Sequence, residues 1–274
     1  MRRSSFDKEY LFKELDKLSS EIPISVNLFM IGGAGLIFYG LKEATKDIDV
    51  VLQSPDELDT LTDALRKLGY RNPSPTEISR PYRKMGANEI LENRNGFRWD
   101  IFDRQVCNAL IVSSEMKSRG TIFYTKGPLK VLLASKEDIF LFKGITEREA
   151  DLEDMRLLAE SGLNWKVIEQ ECRNQSVSSG RLWENAIYER LIDLKTKHKI
   201  ESPIERSLKA TLEEKLVEIT LTEAIKKGNN TVKTISQATN QPEYFIRESL
   251  KRMVKKGQIR VDKTSHPYKF ALDP

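Results

Sequence analysis

The sequence predicts an α+β protein built from short strands that alternate with helices, followed by a helical middle segment and a small C-terminal unit. Three observations carry this prediction. Four short runs with strand character, Val26–Ile31, Asp47–Leu52, Phe97–Phe102 and Leu129–Leu133, are set among stretches with apolar residues at helical spacing. Residues 147–198 read as helix, with breaks only near Gly162–Asn164 and Asn174–Gly180. After Pro203 a new pattern begins: three helices and then two short strands.

Taken in order, Tyr10, Leu11, Leu15 and Leu18 have helical spacing, so residues 7–18 are expected as the first helix. The buried-strand pattern of Val26–Ile31 ends at Gly32-Gly33, and Ala34–Leu41 reads as a short apolar helix. In the strand at Asp47–Leu52, Ile48, Val50 and Leu52 alternate with Asp47, Asp49 and Val51. Ser54 followed by Pro55 is an N-cap with proline at the first turn, and it opens a helix that Gly69 ends. Residues 71–95 are rich in Pro, Asn and Arg and are expected as loops with some strand content. Ser135, with Asp138 in the capping-box position, starts the helix after Leu129–Leu133. Towards the C-terminus, residues 207–227, 231–239 and 241–256 read as helices, and 258–262 with 268–272 as a strand pair.

Composition excludes several classes. At 31% charged and 39% apolar residues, the 274-residue chain has a globular and not a disordered profile. The apolar runs are too short to span a bilayer, and residues 1–9 lack the apolar core of a signal peptide, so a cytoplasmic protein without membrane contact is expected. Cys107 and Cys172 lack metal or redox spacing and are read as reduced thiols, while His198 and His266 lack partners for a zinc site. The net charge of +4 lies wholly in residues 201–274, with 14 Lys+Arg against 10 Asp+Glu, which points to an anionic partner for that part.

The chemistry-bearing stretch is Ile31-Gly32-Gly33 followed by Asp47-Ile48-Asp49-Val50. Carboxylates two apart on a strand share one face. Mg²⁺ suits such a pair, because it binds through a few carboxylates, waters and substrate phosphates. Glycines at a strand-to-helix turn let backbone N–H groups approach a phosphate. A dinucleotide fingerprint fits worse: Gly33-Ala-Gly35 lacks the third glycine, since Phe38 stands there, and Asp49 comes too early for a ribose-binding acid. No Walker Gly-Lys-Ser/Thr occurs, and no His-based triad motif is present.

These residues resemble the nucleotidyltransferases of the DNA polymerase beta superfamily, over about residues 25–160. The resemblance implies a mixed sheet flanked by helices and a third carboxylate on a later strand, for which Asp100 is the candidate and Asp103 the second choice. Lys143, followed by Arg148, Asp151 and Asp154, looks like the lysine and Arg/Asp helix of the AbiEii-type and MNT-like branch, where the lysine serves nucleotide handling or catalysis. Salt bridges at helix spacing explain Arg148, Asp151 and Asp154 nearly as well. Relatives often carry an arginine before the first aspartate, whereas this chain has Glu43 beside Lys42. The implied site is therefore Asp47, Asp49 and Asp100 as catalytic and metal ligands for two Mg²⁺ ions, with Mn²⁺ as an alternative. Gly32, Gly33 and Lys143 are the NTP-binding residues.

Residues 203–274 resemble a winged helix-turn-helix. The resemblance implies a core of Ile235, Ala238, Phe245, Ile246, Leu250 and Val254 and a basic third helix that enters a nucleic-acid groove. Arg247, Lys251, Arg252, Lys255, Lys256 and Arg260 are its candidate DNA or RNA contacts, with Lys263 and Lys269 on the wing. The expected organisation is a nucleotidyltransferase domain at 1–160, a helical extension and linker at 161–202, and the winged helix at 203–274. The expected activity is transfer of an NMP from an NTP to an acceptor, which is RNA, a protein or a small molecule. The rival is a DNA-binding regulator or toxin–antitoxin component that senses nucleotide without catalysis. The oligomeric state is left open.

Overall fold

The computed structural model describes residues 4–74, 86–107, 110–146 and 148–272. Its chain forms two compact units, Met1–Glu205 and Arg206–Pro274. The architecture is mixed α and β, as expected.

In the first unit, the described elements are β1 (Phe6–Asp7), α1 (Lys8–Glu21), β2 (Val26–Ile31), α2 (Gly32–Phe38), β3 (Ala44–Thr45), β4 (Asp47–Leu52), α3 (Pro55–Lys67), β5 (Glu89–Glu92) and β6 (Arg98–Asp103). They are followed by β7 (Gln105–Val106), β8 (Leu110–Ile111), α4 (Ser114–Arg119), β9 (Thr121–Lys126), β10 (Leu129–Leu133), α5 (Lys136–Gly144), α6 (Glu149–Glu160), α7 (Trp165–Ser179) and α8 (Trp183–His198). Of the stretch expected as loops at 71–95, residues 75–85 lie outside the described residues, as does Glu147 at the start of the expected helical segment.

The six-stranded sheet runs β5-β6-β4-β2-β10-β9. It is mixed: β4 is parallel to β6 and antiparallel to β2, and β2 is parallel to β10. One face holds Leu28 and Met30 of β2, Ile48 and Val50 of β4, Trp99 and Ile101 of β6, and Val131 of β10. They pack with Leu11, Leu15 and Leu18 of α1 and Leu61 and Leu65 of α3 into one dry core. Because strand side chains alternate, Phe29, Ile31, Asp49, Val51, Asp100 and Phe102 project to the opposite face. Helix α5 packs on that side of the molecule against α2, α6, α7 and α8. Ser135 caps α5 by accepting a hydrogen bond from the Asp138 amide at 3.1 Å, and Ser54 caps α3 in the same way.

The second unit has α9 (Glu205–Lys226), α10 (Val232–Thr239), α11 (Glu243–Lys255) and an antiparallel hairpin of β11 (Ile259–Asp262) and β12 (Lys269–Leu272). Thr231 and Thr234 form a reciprocal capping box at the start of α10. Ile235, Ile246, Leu250, Met253 and Ile259 form its core with Leu221 and Ile225 of α9. Ala238, expected in this core, is exposed. It stands one turn beyond Ile235, which alone is buried in this helix of only eight residues.

Candidate active site

The turn from β2 into α2 is shaped around a carboxylate. Gly32 has φ +68, a conformation that favours glycine. A Cβ placed on it would lie 1.9 Å from Asp49 Oδ2, so the Asp49 carboxyl occupies the space a side chain would need. Gly33 has a similar constraint, since its Cβ would lie 2.7 Å from Thr45 Oγ1. Thr45 in turn donates to the Asp47 backbone carbonyl at 3.2 Å. The two glycines therefore hold the backbone close to the residues that flank and include the acidic pair.

Asp47 and Asp49 both stand on β4, and Asp49 is paired in register with Ile31 on one neighbour and Asp100 on the other. In-register neighbours project to the same face. Asp47 is half-buried, Asp49 is 7% exposed and Asp100 is 1% exposed. Burial first, and then the charge of Asp47, push the Asp49 carboxyl up to about 7, against the pull of Lys143 and Arg148. Two carboxylates with too little water around them are costly together, and either a proton or a divalent cation relieves them.

A cationic cluster faces this pair. Lys143, near the end of α5, is buried at 6% exposure and bonds Asp151 at 2.7 Å and Asp154 at 2.9 Å. Burial pulls its ammonium down, but Asp151, Asp154 and Asp49 together outweigh that, so its pKa is raised. Arg148 forks onto Asp151 at 2.6 and 2.9 Å, and Thr146 Oγ1 donates to the same carboxylate at 2.5 Å. Asp151 is buried, yet Lys143 and Arg148 hold it well below the ordinary carboxylate range. Lys42, in the connection between α2 and β3, reaches Asp154 at 2.8 Å. Arg190 of α8 clamps the backbone carbonyls of Thr146 and Arg148. A cavity of about 20 Å³ remains, lined by Gly32, Asp49, Lys143, Thr146 and Arg148 among others.

Of the residues expected at the site, Asp47, Asp100 and Gly33 are not among the residues lining this small cavity, whereas Asp49, Gly32 and Lys143 line it. Arg148 joins them, and its bond to Asp151 has the helix-spacing geometry that a salt bridge alone explains. Asp103, the second choice for a third carboxylate, ends β6 and pairs with Arg104 at 3.1 Å. Thr146 and Arg190 were not legible as site residues: one is a threonine between helices, the other an arginine on an amphipathic helix far along the chain. Among the described residues, no group of three or more His, Cys, Asp or Glu side chains is arranged to hold a metal ion. The chemistry of the donor set fits Asp47 and Asp49 as a pair, because Mg²⁺ is commonly held by one or two carboxylates and completed by phosphates and water.

In the second unit the basic candidates separate into two faces. Arg247 and Lys251 line a groove together with Lys233 and Lys263. Lys256 turns instead to Glu218 at 2.7 Å and Glu214 at 3.1 Å, with Arg252 also near Glu214 at 3.9 Å. Lys255, Arg260 and Lys269 are exposed. No helix among the described residues is long and apolar enough to cross a membrane, and both cysteines are free thiols.

Comparison of the chain with protein-family models and with curated protein sequences yields no match.

Proposed function

We propose that the chain is a metal-dependent nucleotidyltransferase that moves an NMP from an NTP to an acceptor, with a winged-helix unit that contacts nucleic acid. The observation that carries the reading is the Asp49 carboxyl seated over Gly32 at a strand-to-helix turn, with Asp47 two residues before it and Asp100 in register beside it. The strand order supports it too, since β2, β4 and β6 supply the turn, the acidic pair and the third carboxylate from adjacent strands.

In the proposed reaction an acceptor hydroxyl attacks the α-phosphorus of the NTP. The new O–P bond forms as the bond to pyrophosphate breaks in line, and the hydroxyl proton passes to a carboxylate. When bound, magnesium supplies charge neutralisation for the attacking and leaving oxygens. Asp47 and Asp49 are the residues that would hold it, and Asp100 has the role of third carboxylate and proton acceptor. Gly32 and Gly33 are the residues whose backbone N–H groups would hold the triphosphate. Lys143 and Arg148 place positive charge beside Asp49, where phosphate oxygens gain from it.

The test is incubation of the full chain with each labelled NTP, Mg²⁺ and a cell extract or its RNA. The expected result is a labelled acceptor formed by the wild type and absent with Asp47→Ala or Asp49→Ala. Full magnesium-dependent labelling by either variant overturns the reading. One observation favours a second reading, a nucleotide-sensing regulator without transfer: Asp100 is almost wholly buried. That reading predicts NTP binding with no labelled product from any extract, and no effect of Asp100→Asn on binding.

A further inference from the structure

A groove of about 690 Å³ lies between α11 and the β11–β12 hairpin of the C-terminal unit, with α10 at one side. Its floor is apolar, including Val254, Val261 and Phe270. Four cations stand around it, Lys233, Arg247, Lys251 and Lys263, against one carboxylate, Glu243. Two aromatic rings complete it: His266 and Tyr268 lie with centroids 5.0 Å apart and planes tilted by 32°. Tyr268 is 43% exposed although it is a large apolar ring.

This combination selects among nucleic acids. Duplex DNA is read by a helix that protrudes into the major groove, and its bases stay stacked inside. A concave slot with an apolar floor, exposed rings and a cationic rim instead accepts splayed bases, with the backbone along the cations. Lys256, which does not line the groove, is paired with Glu214 and Glu218. Lys251 is also bonded, to Glu248 at 2.7 Å, but both side chains are exposed and such a pair is easily exchanged for a phosphate.

We infer that this groove binds single-stranded nucleic acid, stacking a base on Tyr268 and His266 while Lys233, Arg247, Lys251 and Lys263 contact phosphates. The inference rests on the C-terminal unit being the nucleic-acid contact, but not on nucleotide transfer. A chain that transfers nucleotides yet fails the following test keeps the proposed activity and loses this site.

The test is fluorescence anisotropy of the full chain with a labelled oligothymidylate of about fifteen nucleotides and with a duplex of equal length. The expected result is at least about tenfold tighter binding of the single strand. Its affinity should fall by up to roughly fiftyfold between about 50 and 200 mM salt, as contact with four phosphates allows. Tyr268→Ala should weaken binding by about tenfold or more, as loss of one stacked base does. Tyr268→Phe should retain binding, Arg247→Gln should weaken it, and Lys256→Ala should leave it unchanged. Thermal melting of each variant separates loss of the site from loss of the fold. Preference for the duplex, absence of salt-sensitive binding, or wild-type affinity in a folded Tyr268→Ala or Arg247→Gln variant overturns the inference.

Discussion

Replacing Asp49 by Asn should stabilise the protein at neutral and alkaline pH while abolishing nucleotide transfer. The carboxyl is pushed from its ordinary 3.8 up to about 7 by burial and by Asp47, net of the opposing pull of Lys143 and Arg148. A shift of that size corresponds to about 4 kcal/mol between the two protonation states. The side chain is buried, so solvent screening takes little from this figure. Between the two pKa values the native state keeps a proton that the unfolded chain has released. Stability of the wild type therefore falls as pH rises from about 4 to about 7 on account of this group, and the deficit is complete above that. Asparagine keeps the shape and has no charge to desolvate. Urea unfolding at a series of pH values from 4 to 8, without divalent cations, measures the effect. The stability of Asp49→Asn minus that of the wild type should grow by about 4 kcal/mol across the series, and half of that gain would still fit. A flat or falling difference refutes the claim that Asp49 is a carboxylate forced to be charged against its environment.

Further outcomes follow from the same geometry. Gly32→Ala should destabilise by about 1–2 kcal/mol from its left-handed backbone alone, with more from the clash with Asp49 Oδ2. Combining it with Asp49→Ala should recover the clash component, which thermal melting of the single and double variants reads as non-additivity. Lys143→Met leaves Asp151 and Asp154 buried with one cation fewer and should cost about 3–5 kcal/mol in chemical denaturation. Ser135→Ala removes the cap of α5 and should cost about 1 kcal/mol by the same assay. Lys256→Ala removes only exposed or half-exposed ion pairs and should change stability by less than about 1 kcal/mol.

Local chemistry made most of the elements legible. Ser54-Pro55, Ser135 with Asp138, and Thr231 mark helix starts where the capping contacts form. The alternation along Asp47–Leu52 placed both aspartates on one face because the strand period is two. Strand β9 was not anticipated: Thr121–Lys126 is an edge strand with no fully buried residue, so it lacks the apolar run that marks β2. The break near Gly162 falls at its glycine, which has positive φ, whereas the break expected over Asn174–Gly180 is confined to Gly180 and the residues after it, because α7 runs on to Ser179. The site was legible where its residues are neighbours in sequence, as at Gly32-Gly33 and Asp47–Asp49. It was not legible where long-range packing builds it, as with Arg190 closing over Thr146 and Arg148, or with the division of the α11 cations by the carboxylates of α9. The depth of burial of Asp100 is a tertiary property that its strand position does not reveal.

Central to the proposed function is one cation site formed by Asp47 and Asp49 in the presence of a nucleotide. A titration of the full chain with Mn²⁺, followed by electron paramagnetic resonance of the free ion with and without a non-hydrolysable NTP analogue, addresses this directly. Wild type should bind Mn²⁺ tightly only with the analogue present, and Asp47→Asn and Asp49→Asn should each lose that binding while remaining folded. Equal Mn²⁺ uptake by wild type and both variants would contradict it.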